Sequence, residues 1–229
     1  MDWLKANSDE VWNLLLSHVW LSVLPILLGF VIAIPIGWFT NRHPRVAGVV
    51  LSVGSILYTV PSLALFLILP SILGTGFLDP LNVVVALTIY AVAIMVRSAN
   101  DGFDSVSDQV LDAATASGFS SAGRALRVEL PLAGPVLLAG LRVVSVSTVS
   151  LVSVAALVGV DNLGVLFTEG SKTGNNDEIV VGIVLVVALA LALDVLLVLA
   201  GKLLMPWSRR SASVRPAWLG FSLGRRAHG

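Results

Sequence analysis

For 33 consecutive residues, Val46–Leu78, the chain carries no charged side chain. About one residue in four is charged in a soluble domain, so a run of this length points to lipid rather than water. A helix needs roughly 20 apolar residues to cross about 30 Å of hydrocarbon, and runs of this kind therefore set the number of crossings. Val19–Phe39 supplies a first span of 21 residues, with Trp20 and Trp38 at depths where indole rings favour the interface. Val46–Leu78 is too long for one straight crossing and is interrupted by Gly54, Pro61, Pro70, Gly74 and Gly76. Pro61 removes an amide donor and crowds the preceding turn, so the helix predicted from about Val46 kinks or restarts near Thr59–Ser62. The stretch reads as one broken span, with a re-entrant segment or two short crossings left open. Leu81–Val96, continuing to Arg97 and opened by Pro80, makes a third span. Val143–Val160, beginning at about Ala139, makes a fourth, and Ile179–Gly201, holding the single acid Asp194, a fifth. An all-α integral membrane protein of about five transmembrane helices is expected.

Composition narrows the function classes. Only 12% of the 229 residues are charged, and fourteen Lys and Arg balance fourteen Asp and Glu. That balance gives no support to nucleic-acid binding. With no cysteine there is no disulfide, thiol nucleophile or Cys-based metal site, and His18, His43 and His228 are too scattered for a zinc cluster. Asp2, Asp9 and Glu10 precede the first apolar run where a cleavable signal would carry basic residues, so residues 1–18 are expected to persist as an extracytoplasmic segment. No separate soluble domain is expected on either side of the spans.

Positive charge sets the orientation, because short cytoplasmic loops retain Lys and Arg. Arg42 and Arg45 fall in the first loop, Arg97, Arg124 and Arg127 in the third, and Lys202, Arg209, Arg210, Arg215, Arg225 and Arg226 at the C-terminus. The opposite side holds Lys5 and Lys172 with a majority of acids. Five spans with the N-terminus outside and the C-terminus in the cytoplasm of a prokaryotic cell satisfy this alternation. Residues 19–204 then form the membrane domain, and 205–229 a basic tail that is solvated or touches lipid headgroups.

The third loop, residues 98–131, is amphipathic. Ser105 followed by Asp108 resembles a capping box, and Val106, Val110, Leu111 and Ala114 recur at nearly helical spacing. A short helix is predicted to about Ser117, ended by Gly118 in the left-handed conformation. Ser120 or Ser121 caps a second short helix that Leu130-Pro131 closes. The small residues Ala113, Ala114, Ala116 and Gly118 would let another protein come close, which makes the bracket a docking element.

Asp112-Ala113-Ala114, three residues, Gly118, nine residues, then Val128-Glu129-Leu130-Pro131 resembles the EAA signature of ABC importer permeases. Three further segments are similar to the branch that imports glycine betaine, carnitine, choline and related osmoprotectants. They are Thr59-Val60-Pro61-Ser62-Leu63-Ala64-Leu65, Ala139-Gly140-Leu141-Arg142 and Leu191-Ala192-Leu193-Asp194-Val195-Leu196-Leu197. Together these cover most of residues 19–206. The chain departs from the family pattern twice. Asp112 replaces the usual glutamate, and Gly159-Val160-Asp161-Asn162-Leu163-Gly164 stands where a glycine-rich segment is more common, so the external surface is expected to suit a different binding protein or solute.

The resemblance implies a type I importer permease that does no chemistry of its own. It implies a second permease, identical or homologous, cytoplasmic ABC ATPases that bind ATP and Mg, an extracytoplasmic solute-binding protein, and surrounding membrane lipid. No G-x-x-x-x-G-K-[S/T] phosphate loop is present, and Ser117–Gly123 lacks the lysine such a loop needs. In the family the bracket is a coupling helix seated in a cleft of the ATPase, so Asp112, Ala113, Ala114, Gly118, Leu130 and Pro131 are the implied coupling residues. Ala113, Ala114 and Gly118 are expected at the closest contact, with Asp112 orienting the helix.

A span broken near mid-membrane often marks a transport pathway, because freed backbone groups need a cavity or partners. Tyr58, Thr59, Pro61 and Ser62 are accordingly read as gate or pathway residues. Asp194 is costly in an apolar helix and reads as a structural pair or cap rather than a solute or proton site. Arg142 either snorkels to the interface or pairs with an acid such as Asp194. Two alternatives to the osmoprotectant permease are a permease for an amino acid such as methionine, and an ion-coupled secondary transporter working through Asp194.

Overall fold

The computed structural model describes Trp3 and residues 7–208. Asp2 and Lys5, and the tail residues Arg209, Arg210, Arg215, Arg225, Arg226 and His228, lie outside the described residues. Among the described residues the regular structure is all helical. Helix α1 spans Ser8–Arg42, with Asp9 and Glu10 in its first turn and Arg42 in its last, each sign at the end of the helix dipole that favours it. It is well over the length of the apolar run inside it and passes through Pro25 and Pro35 without ending.

Pro44 opens α2, Pro44–Thr59, and Ser62 opens α3, Ser62–Leu73. The two helices meet at 102°. Proline bars the residue before it from the helical region, and Val60 is accordingly extended, with ψ 130°. The carbonyl of Val60, freed by the break, accepts a hydrogen bond from the Tyr90 hydroxyl. Counting this bent pair as one crossing beside four long apolar helices gives five spans.

Helix α4, Pro80–Asp104, starts where Asp79 accepts a hydrogen bond from the Leu81 amide at 2.9 Å. It runs seven residues past Arg97, where the apolar run ends, because Ala99, Gly102 and Phe103 still face the core while Arg97 points outward. Ser105 therefore ends α4, its hydroxyl donating to the Gly102 carbonyl at 2.6 Å. The capping box expected at Ser105 does not form; Ser107 occupies the N-cap of α5, Asp108–Ala116.

After α6, Ser121–Arg124, the chain makes one π-helical turn, Ala125–Glu129, and continues without a break into α7, Leu130–Val154. Leu130-Pro131 thus does not close the second short helix, and the fourth span begins near Leu130 instead of Ala139. The wide turn is the reason. The Leu130 amide reaches back to the Ala125 carbonyl, leaving room for the Pro131 ring and no need for its missing N–H. A 3-10 turn, Ala155–Val158, ends at Gly159 with φ +82°, followed by α8, Val165–Thr173, and α9, Asn176–Leu204.

Helix α4 is the hub: α1, α2, α3 and α7 all pack on it. Close approach rests on small residues, as in membrane bundles generally. A Cβ placed on Gly29 or Gly37 of α1 would overlap the methyl of Ala91 or Ala99 on α4, and one on Gly140 of α7 would overlap Ser98. His18 of α1 is fully buried, with Nε2 3.0 Å from the Val149 carbonyl of α7, while its Nδ1 and the hydroxyls of Ser145 and Ser153 are buried without a partner among the described residues. Helix α9 packs on α7 and α8, and α2 has no buried residue. Large apolar side chains such as Val31, Val49, Ile56, Leu191 and Leu203 are more than half exposed, a surface suited to lipid or to another membrane chain.

Candidate functional site

The bracket between α4 and α7 is a built object. Helix α5 ends in a Schellman arrangement in which the Gly118 amide donates to the Thr115 carbonyl at 3.0 Å and the Phe119 amide to the Ala114 carbonyl at 3.2 Å. That turn requires Gly118 at φ +84°, where an L side chain is strained. Ser120 caps α6 by accepting from the Gly123 amide at 3.2 Å. Asp112, Ala113 and Gly118 are exposed, and nothing lies within 4 Å of where a Cβ on Gly118 would stand. Beside Gly118, the chain outlines a shallow depression of about 510 Å³ floored by Phe119, Ala122 and Gly123.

Ala114 differs from Ala113 and Gly118. It is only 8% exposed and turned inward. Leu130 and Pro131 lie half-buried at the root of the bracket, where α7 begins. Small side chains in this motif thus divide between an outer surface, Ala113 and Gly118, and an inner seam, Ala114.

Sequence reasoning missed Glu129, the unremarked position between Val128 and Leu130. Its carboxylate is 3% exposed and accepts from Arg42 Nη2 at 2.7 and 2.9 Å and from Arg124 Nε at 2.9 Å. Arg124 Nη1 also donates to Thr115 Oγ1 at 2.8 Å, while the Arg42 guanidinium lies 3.8 Å over the Trp38 ring. Its position as the only acid between Asp112 and Asp161, close to Arg124 and Arg127, was the available signal.

The second set of residues surrounds the broken span. Tyr58, Thr59 and Pro61 are exposed and Ser62 half-buried. Tyr58 meets Tyr90 edge to face, with centroids 5.9 Å apart, and Thr59 Oγ1 donates to the Ile56 carbonyl at 2.7 Å. These groups stand on the outer surface of the single chain. Arg142 of α7 and Asp194 of α9 are brought together in a two-pronged ion pair, Nε to Oδ1 at 2.6 Å and Nη2 to Oδ2 at 2.8 Å. Such a pair cancels two charges that neither helix could carry cheaply alone.

At the opposite end, Asn162 is fully buried, its amide donating to the Val160 carbonyl at 2.8 Å and its Oδ1 accepting from the Gly164 amide at 2.7 Å. Asn162 therefore shapes the loop from inside, and Asp161 next to it is the exposed acid. Ser17 of α1 donates to the Asp161 carbonyl at 2.5 Å and ties the loop down. Among the described residues no group of three or more His, Asp or Glu could hold a metal ion.

A family model described as binding-protein-dependent transport system inner membrane component matches residues 25–210. The chain belongs to that family. It is a multi-pass membrane component of a transport system that works with a binding protein. The choline transport system permease protein OpuBB of Bacillus subtilis is 29% identical over 206 residues, 90% of this chain and 94% of that one. The osmoprotectant import permease protein OsmW of Salmonella typhimurium is 31% identical over 194 residues, 83% and 90% of the two chains. The carnitine transport permease protein OpuCD of Listeria monocytogenes is 28% identical and covers 86% and 87%. Among solved structures, an inward-facing MetNI methionine ABC transporter aligns with a TM-score of 0.73 at 20% identity, over 88% of this chain and 97% of that one. At that identity the likeness speaks for the fold alone, which is that of a type I importer permease.

Proposed function

We propose that this chain is the membrane permease of an ATP-driven importer for quaternary ammonium osmoprotectants such as glycine betaine, carnitine or choline. The observation that carries the reading is the agreement of the relatives: permeases named for choline, carnitine and osmoprotectants match nearly end to end. The methionine transporter resembles this chain at 20% identity, which speaks for the fold and not for the solute. An ion-coupled transporter working through Asp194 is disfavoured by the ion pair that already engages both carboxylate oxygens.

In this reading Asp112, Ala113 and Gly118 present the bracket to a cytoplasmic ABC ATPase, Ala114, Leu130 and Pro131 hold its shape, and ATP with Mg belongs to that partner. The N-terminus lies outside with residues 1–18, and residues 19–204 cross the membrane. The pairing of Arg42 with Glu129 supports this orientation, because it puts the end of α1 on the same side as the bracket. Residues 205–229 are read as a basic cytoplasmic tail, of which 209–229 lie outside the described residues. Tyr58, Thr59, Pro61 and Ser62 line the solute path only once a second permease, identical or homologous, covers the face they occupy. An extracytoplasmic binding protein delivers the solute to the end bearing Asp161.

Reconstitution tests the assignment. Liposomes holding the chain with its ATPase, second permease and binding protein should accumulate labelled glycine betaine when ATP is enclosed. The chain by itself should accumulate none, and uphill accumulation by the isolated chain would overturn the proposal.

A further inference from the structure

The bracket reaches the rest of the molecule by two routes. One is covalent and indirect, through the turn at Ser105–Ser107 into α4 and through the π turn into α7. The other is a chain of polar contacts from Thr115 on α5 to Arg124 on α6, to Glu129 at the foot of α7, to Arg42 at the end of α1. Arg42 and Glu129 are separated by 87 positions in sequence, so this route joins elements the backbone leaves far apart.

We propose that Glu129 is a positioning residue that couples displacement of the bracket to α1 and α7. The inference rests on the permease reading above and adds the route by which force would travel. Each contact in it is directional. The Arg42 guanidinium uses one nitrogen for both carboxylate oxygens and is clamped from behind by Trp38, so its angle is set. Arg124 donates Nε to Glu129 and Nη1 to Thr115, which fixes α5 relative to α6. Arg124 and Arg42 meet on the same oxygen, Oε1, so removal of the carboxylate leaves two guanidiniums facing each other without an anion. The clasp consequently behaves as one unit: it transmits a push on the exposed Asp112 and Ala113, or it opens altogether. Placement of Glu129 in a π turn adds to the argument, since such turns are rare and concentrate at working positions in helices.

The test measures solute carried per ATP hydrolysed by the full complex in vesicles, with labelled glycine betaine as probe. Glu129→Gln, Arg124→Ala and Arg42→Ala should each lower that ratio by about fivefold or more, the lower end of coupling between linked sites, while the ATPase still co-purifies. Because the contacts act in series, the double variant Arg42→Ala/Arg124→Ala should be no worse than the poorer single variant. Glu129→Asp, which keeps the charge, should recover part of the loss. Arg97→Ala, an exposed arginine of α4 outside this route, should leave the ratio unchanged. The chain has no cysteine, so spin labels at Phe39→Cys and Ala116→Cys report the spacing of α1 and bracket directly. That distance distribution should be narrow in the parent and at least about twofold broader in Arg124→Ala, whose part-exposed side chain makes folding failure a lesser concern. An unchanged ratio, multiplicative losses in the double variant, or an equally narrow distribution would each overturn the proposal. Failure of the parent complex to take up glycine betaine would count against the permease reading instead, and the label distances would still judge the clasp.

Discussion

Substituting Gly37 by alanine tests the idea that α1 and α4 meet through bare backbone. A Cβ there would lie 2.9 Å from both the Ala99 carbonyl carbon and the Asn100 amide nitrogen, besides overlapping the Ala99 methyl. The Cβ would stand 2.3 Å from the Ala99 Cβ, and carbon atoms rest near 3.5 Å or more, so the two helices must part by about 1.2 Å. One turn on, Thr40 Oγ1 stands 3.1 Å from Asn100 Oδ1, and parting the helices carries that contact past hydrogen-bonding range. Overpacking of this kind costs about 1–3 kcal/mol, offset by about 0.5–1 kcal/mol that alanine gains over glycine in a helix, leaving a net loss of up to about 2.5 kcal/mol. The identical change at Gly48 on α2 meets nothing within 4 Å and keeps only the gain. At about 2–4 °C per kcal/mol for a chain of this size, Gly37→Ala should lower the melting temperature of the detergent-solubilised chain by up to roughly 10 °C while Gly48→Ala raises it by about 1–4 °C. Adding Ala99→Gly to Gly37→Ala removes the methyl overlap but not the backbone contacts, so recovery should be partial. Equal shifts at Gly37 and Gly48, followed by fluorescence-detected melting, would refute the close-approach argument.

Three other perturbations separate backbone, buried-polar and charge effects. Gly118→Val puts a β-branched residue at φ +84° at a cost of about 1–2 kcal/mol or more; ATP-driven uptake should fall while membrane insertion is kept. Gly118→Asn, which tolerates that conformation, should retain most uptake, and intact uptake in the valine variant would discount the bracket. Tyr90→Phe strands the Val60 carbonyl at the helix break and should cost about 1–3 kcal/mol; an unchanged melting temperature would show that water already satisfies it. Asp194→Asn leaves Arg142 without its carboxylate and should reduce folded yield, with Arg142→Gln/Asp194→Asn recovering it. Residual uptake in these variants should follow ATP and ignore a protonophore, and collapse on protonophore addition would revive the ion-coupled reading.

The correspondence between sequence pattern and structure is closest where local physics rules. The Pro61 break, the start of α4 at Pro80 and the left-handed Gly118 follow from single residues whose backbone options are few. Helix ends near Ser105 and Pro131 were misplaced because tertiary contacts override the local signal there. Core burial of Phe103 draws α4 past the charge at Arg97, and the π turn accommodates a proline that otherwise reads as a stop. Spacing brought the coupling motif to notice, but spacing counts positions and says nothing of which face each side chain takes. That is why Ala114 turned out to be an inner residue and Glu129 went unremarked.

Amino-acid order alone determined that this chain belongs in a membrane, that it holds four to five apolar candidate spans, and where its amphipathic loop falls. Each of these depends on runs, periods and charges that neighbours in sequence impose on one another. Only the folded chain decided which distant charges meet: Arg42 with Glu129 across 87 positions, and Arg142 with Asp194 across 52. Helix partners are chosen by which surfaces come close enough to exclude lipid, and small residues such as Gly37 and Ala99 make that choice by what they leave out. An absent side chain leaves no periodic mark on the sequence, so its consequence becomes visible only when the two backbones touch.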